Sequence, residues 1–198
     1  MPPADDAPRD GSAGAAPTSG NVTEWALRAQ SGDPLAEAAF VRATQPDVWR
    51  FCASLVDLES ADDLTQETYL RAFRALPGFE ARASARTWLL GIARRTCADH
   101  LRTVVRRRRL DEVLRARVAA LSGPVGPVGG DPAGESCAAD LLAKLPADRR
   151  TAFVLTQLVG LSYQEAAAVT DIPVGTVRSR VARAREELVA HLAHVAAS

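Results

Sequence analysis

The chain has 198 residues, 47 % of them hydrophobic and only 5 % aromatic, and its 24 basic and 24 acidic side chains cancel to a formal charge of zero. That apolar share supports one or two domains with cores built mostly from Ala, Leu and Val. Cys52, Cys97 and Cys137 are scattered, without a Cys-x-x-Cys pair, which excludes a disulfide framework or a zinc site, and no apolar run approaches the roughly 20 residues of a membrane span.

Residues 1–20 are rich in Pro, Gly, Ala, Ser and Asp, and predict a disordered tail. They lack the basic start and apolar run of a secretory signal. From Val22 to about Leu121 the pattern is helical throughout. "VTEWALRAQSGD" predicts a short helix ending near Gly32. Asp33 and Pro34 then supply a cap and a first turn for a helix running to about Thr44. Pro46 starts another, "PDVWRFCASLV". Ser60 can cap "ADDLTQETYLRAFRAL", which stops at Pro77-Gly78. After the loop "GFEARAS" a long helix runs from about Ala85 to about Arg109. "SGPVGPVGGDPAGES" reads as a flexible linker. Four more helical patterns follow: "CAADLLAKL", "ADRRTAFVLTQLVG", "SYQEAAAVT" and "PVGTVRSRVARAREELVAHL". No alternating strand pattern appears. The expected fold is all-α, with a tail over 1–20, a first helical domain over 21–121, a linker over 122–137 and a second domain over 138–198.

The zero net charge hides a split. Between Arg82 and Arg117 stand eleven arginines against three acids, whereas Glu59 to Glu67 is acidic. A basic and an acidic block in one chain point to two different partners. Lys144 is the only lysine; guanidinium suits phosphate and base-edge contacts, although a GC-rich genome would produce the same bias.

On a helical wheel of roughly 100° per residue, Val174, Val177, Val181, Ala184 and Leu188 share one side of the last helix. Ser179 and Arg183 point nearly opposite, Arg178 and Arg185 flank one edge and Arg180 the other. Small Ala167 in the preceding helix allows a close crossing, and "TDIP" makes a short turn with Pro173 setting the first helical turn. That is the pattern of a helix-turn-helix, whose second helix enters a DNA major groove. An amphipathic hairpin with a wet arginine face is the plainer alternative.

The same wheel on the long helix groups Leu89, Ala93, Thr96, Cys97, His100 and Val104, with Gly91, Arg95, Asp99, Arg102 and Arg106 opposite. Just upstream, Phe79 and Trp88 bracket a polar loop holding Arg82, Ser84 and Arg86. Aromatics and arginines around a loop can stack single-stranded bases and neutralise phosphates. Trp88 taken alone reads as core; the arginine stripe reads as a nucleic-acid face.

"SADDLTQETYLRAF", then "SARTWLLGIARRTCADHLR", a linker, and "LSYQEAAAVTDIPVGTVRSRVARARE" together resemble an extracytoplasmic-function (ECF) sigma factor of the sigma-70 family, in wording nearest the actinobacterial sigma-C-type subgroup. The resemblance covers roughly residues 22–110 and 138–190. It implies a region 2-like domain and a region 4-like helix-turn-helix domain, with core RNA polymerase and promoter DNA as partners and an anti-sigma factor as a further one. By position, Asp62, Asp63, Gln66 and Glu67 would grip the polymerase clamp helices. Phe79, Arg82, Ser84, Arg86 and Trp88 would capture a flipped base of the −10 element, with Arg95, Asp99 and Arg102 beside it. Arg178, Ser179, Arg180 and Arg183 would contact the −35 element. The family usually has Asn where this chain has Arg95.

No Walker loop, metal cluster or nucleophile triad is present in the sequence, so the chain is read as a non-enzyme without a cofactor, acting in the cytoplasm and not inserted in a membrane. His100, His191 and His194 sit on helical patterns and need no catalytic role. An autonomous helix-turn-helix regulator with a helical sensor domain stays open as the alternative; tight, specific DNA binding without polymerase would favour it.

Overall fold

Asp33 sets the first corner of the molecule. Its carboxylate accepts from the backbone N–H of Leu35 and Ala36 at 2.9 and 3.1 Å, and pairs with Arg28 at 2.6 Å. That fixes helix α1 (Ser19–Gln30) against helix α2 (Pro34–Leu55). The computed structural model describes residues 19–122 and 137–196. The tail expected over 1–20 and the linker expected over 122–137 lie, except at their edges, outside the described residues.

Two helices were expected from Pro34 to Val56, broken before Pro46. The structure has one. Ala36, Phe40, Thr44, Val48, Phe51, Cys52 and Leu55 form a single buried stripe that runs straight past the proline. Continuous burial on both sides of Pro46 outweighs the one backbone hydrogen bond its ring removes. Helix α3 (Leu58–Ala75) also starts earlier than read: Asp57, not Ser60, is the cap, accepting the Ser60 N–H at 2.6 Å. A short 3₁₀ turn at Leu76–Gly78 leads into the loop before helix α4.

Helix α4 (Ala85–Ser122) is opened by Ser84, whose Oγ accepts the Thr87 N–H at 3.1 Å. It continues more than three turns beyond the expected Arg109. The stretch after Arg109 contains neither Gly nor Pro until Gly123-Pro124, so nothing stops the helix, although Leu110, Val113 and Leu114 are exposed.

The second unit comprises α5 (Cys137–Ala143), α6 (Ala147–Phe153) with a wider π turn at Val154–Leu158, α7 (Tyr163–Thr170) and α8 (Val174–Ala196). Ser162 and Glu165 form a reciprocal capping box at the start of α7. Asp171 ends that helix in the left-handed region, at φ 57°, a conformation that Asp tolerates better than most side chains. No strand occurs among the described residues.

The buried side chains of both units join into one cluster, from Phe40, Phe51 and Leu89 to Leu155, Val177 and Val181. The units are therefore packed together rather than merely tethered: α7 lies on α4, and the π turn lies on α2. Inside the first unit the Tyr69 hydroxyl lies 2.6 Å from Thr44 Oγ1, while the Thr44 proton goes to the Phe40 carbonyl at 2.7 Å. Tyr69 is thus the donor, and burial pushes its pKa up to about 12. A phenol whose folded value lies above its unfolded value of about 10 stabilises the fold below pH ~10 and loses that contribution as pH rises toward 12. Chemical denaturation should therefore show the wild type losing on the order of 2 kcal/mol more than Tyr69→Phe across that interval.

Candidate nucleic-acid interface

Helix α8 is held by Val177, Val181 and Ala184 in the core of the second unit, so the opposite face must meet solvent. Arg178, Ser179 and Arg183 lie exposed on it. Arg178 sits over the Tyr163 ring, 5.8 Å from its centroid, which steadies a guanidinium near the turn. Ser179 Oγ bonds back to the Thr176 carbonyl at 3.0 Å. Arg180 is turned aside: its Nε meets Asp148 at 3.1 Å and the side chain is only half-exposed. Arg185, two residues past Arg183, donates to Gln157 at 2.6 Å.

In the first unit, Phe79 and Trp88 meet with ring centroids 4.9 Å apart and planes tilted by 42°. Phe79 is buried and Trp88 partly so. They form one wall of a cavity of about 290 Å³, with Arg82, Gly91 and Arg95 around it. Arg82 is largely solvated and pairs with Glu80 at 2.5 Å. Between them Ala81 has φ 54°, a left-handed conformation that costs an alanine roughly 1 kcal/mol. Arg86 leaves this group. It reaches Asp47 at 2.7 Å and the Val159 carbonyl at 2.6 Å, linking α4 to α2 and to the second unit. Ser84 serves as the cap of α4 and shares a 2.8 Å hydrogen bond with Thr87.

Arg95 is exposed and also faces a groove of about 480 Å³ between α3 and α4, with Arg71, Arg94, Asp99 and Arg102. Asp99 binds Arg71 at 2.7 Å and also Arg102. The Arg71 hydrogen bond, with Arg102 assisting, holds the Asp99 carboxyl below its ordinary range. Arg71 also donates to Glu67 at 2.7 Å. A chain of charges thus runs from Glu67 through Arg71 and Asp99 to Arg102. Arg71 was absent from the expected set. Its i,i+4 spacing from Glu67 was visible in the sequence, but its partner Asp99, 28 residues on, was not.

Asp62, Asp63 and Gln66 are exposed on one side of α3, with Glu67 half-exposed at its edge. The Trp49 indole N–H donates to Asp62 at 2.8 Å, so α2 contributes an aromatic neighbour that the sequence did not signal. Leu70, one turn from Gln66, is exposed as well, which gives this acidic face an apolar border.

No helix of the described residues is long and apolar enough to cross a membrane, and no group of three or more His, Cys, Asp or Glu among them could hold a metal ion.

Family models for sigma-70 region 2 and sigma-70 region 4 match residues 40–110 and 136–188. The chain is 53 % identical over 169 residues to the ECF RNA polymerase sigma factor SigC of Mycobacterium tuberculosis, covering 85 % of this chain and 90 % of that one. It is 34 % identical over 170 residues to the ECF RNA polymerase sigma-E factor of Escherichia coli, covering 81 % and 88 %. Among solved structures it resembles CnrH in complex with the cytosolic domain of CnrY, at 28 % identity and a TM-score of 0.67 over 88 % of this chain and 98 % of that one. It also resembles the sigma factor RpoE in complex with the anti-sigma factor NepR from Bartonella quintana, at 28 % identity and a TM-score of 0.56 over 75 % and 91 %. With both sigma-70 regions matched in order and a sigma-C relative alike over most of its length, the chain belongs to the extracytoplasmic-function sigma factors of the sigma-70 family.

Proposed function

We propose that the chain is a dissociable promoter-specificity subunit. It binds core RNA polymerase through Asp62, Asp63, Gln66 and Glu67 on α3, reads the −10 element with the loop and face around Phe79, Arg82, Trp88 and Arg95, and reads the −35 element with α8. The observation that carries this is the match of one sigma factor to both units in order, over 85 % of the chain. The exposed arginine face of α8 and the aromatic-walled cavity are consistent with the two DNA roles. In this role the chain needs no catalytic chemistry of its own, and it acts in the cytoplasm, where polymerase works. Both solved neighbours are bound to a second protein, one of them named an anti-sigma factor, so a sequestering partner of that class belongs to the proposal.

Each reader alone would bind weakly. Polymerase spaces the two, and joining weak sites raises their effective concentration. Trapping a flipped base offsets lost stacking, on the order of a few kcal/mol per base. Run-off transcription with purified core polymerase tests the whole proposal: start-site-specific RNA must depend on adding the chain. Arg183→Ala removes an exposed cation without disturbing the core. It should lower transcription from a −35-containing promoter roughly tenfold while polymerase binding stays intact. Undiminished transcription from that promoter would remove Arg183 from the reading set.

A further inference from the structure

We propose that Cys52 and Cys97 are an oxidation site: a hydroperoxide joins them in an intramolecular disulfide that ties α2 to α4, and a dithiol reductant undoes it. This inference is independent of which surfaces meet polymerase or DNA.

The two sulfurs lie 3.7 Å apart, at the contact between the two helices. A disulfide needs about 2.05 Å, so small side-chain and helix adjustments suffice. Both side chains are buried, at 0 % and 1 % exposure, and buried thiols are inert where nothing reaches them. Here something can. Cys97 lines a cavity of about 490 Å³ between α4 and the second unit, together with Leu55, Ala98, Leu101 and Thr151. Of the two cysteines only Cys97 lines that cavity, so a hydroperoxide entering it reaches Cys97 before Cys52.

The steps balance. Cys97 sulfur attacks the terminal peroxide oxygen, the O–O bond breaks, and an alcohol or water leaves with the thiol proton. Cys97 is then a sulfenic acid. Cys52 sulfur attacks Cys97 sulfur, the S–S bond forms, the S–O bond breaks, and hydroxide leaves as water with the Cys52 proton. Two thiols have lost two electrons and the peroxide has gained them. The pair is polarised before oxidation. The Cys97 S–H donates to Cys52, which lowers the Cys52 pKa below its ordinary value, with Thr65 and Thr68 adding to the effect. The same bond, with burial, pushes Cys97 up, so the first step is slow.

Cys137, at the start of α5, provides a control. The full chain carrying Cys137→Ala is treated with hydrogen peroxide, unfolded, alkylated and weighed. The expected result is loss of two hydrogens, no alkylation at either thiol, and full recovery of both thiols with dithiothreitol. Adding Cys52→Ala or Cys97→Ala should abolish the intramolecular loss. Peptide mapping of the unsubstituted oxidised chain, which needs no variant to fold, should join the peptide bearing Cys52 to the one bearing Cys97. Overturning results are thiols that stay alkylatable after prolonged peroxide, oxygen gain at either sulfur without a crosslink, or a crosslink that maps to Cys137.

Discussion

Asp63→Arg should lower the affinity of the chain for core RNA polymerase by at least about tenfold without unfolding it. Asp63 is exposed within α3, next to Asp62 and one turn from Gln66 and Glu67. Arginine is a good helix former, so an exposed interior position takes it within ~0.5 kcal/mol. What changes is the sign of the charge on the proposed polymerase-binding face; a partner that pairs with an acidic face offers basic groups, and like charges brought together across an interface cost several kcal/mol. The neighbouring Asp62 carboxylate stays held by the Trp49 indole at 2.8 Å, so the variant alters one charge and not the scaffold. Co-purification with core polymerase measures the effect, and the thermal melt of the free chain provides the control. Arg183→Ala should behave in the opposite way, keeping polymerase and losing promoter output. Undiminished affinity of Asp63→Arg would move the polymerase contact away from this face.

The features legible in the sequence were those set by neighbours along one helix. The stripe of Val174, Val177, Val181, Ala184 and Leu188 is a period of the chain itself; its middle three members are buried and its two ends partly so. With that stripe placed, exposure of Ser179 and Arg183 follows from geometry alone. Asp33 as a cap depended on two adjacent amides, and it caps. Errors came where distant contacts outweigh local preference. Pro46 looked like a boundary because proline removes one hydrogen bond, yet the buried run from Ala36 to Leu55 carries the helix through it. Ser60 and Asp57 were both acceptable caps, and packing chose the one farther upstream.

The site shows the same division. Arg94 and Arg95 are adjacent in a basic run, but Arg94 donates to the Val169 carbonyl at 2.9 Å and Arg95 is exposed beside the aromatic cavity. Arg86 and Arg180 read as cations facing DNA. One is engaged by Asp47, the other by Asp148, partners 39 and 32 positions away. No period of the sequence encodes such pairings. Nor did it show the two units packed together, because Val169 serves the core of the helix-turn-helix and the contact with α4 through the same helix α7.

That packing has a consequence for DNA reading. Ala168 and Val169 of α7 line the same cavity as Phe79, Trp88 and Arg95, so the second unit covers one side of the proposed −10 reader. The molecule has to open before a base can enter from that side. Two arginines act as latches: Arg86 to the Val159 carbonyl at 2.6 Å and Arg94 to the Val169 carbonyl at 2.9 Å. Charge-assisted hydrogen bonds contribute about 1.5–3 kcal/mol when buried. Both side chains are part-buried, so on the order of 2 kcal/mol for the pair is appropriate, or a shift of about 30-fold toward the open form. Arg86→Ala with Arg94→Ala should therefore raise the radius of gyration of the free chain in small-angle scattering. Arg94→Ala alone keeps every residue assigned to base capture, and should raise the affinity of the free chain for a single-stranded −10 oligonucleotide severalfold. An unchanged radius in the double variant would mean that apolar contact between α4 and α7, rather than the two guanidinium latches, holds the units closed.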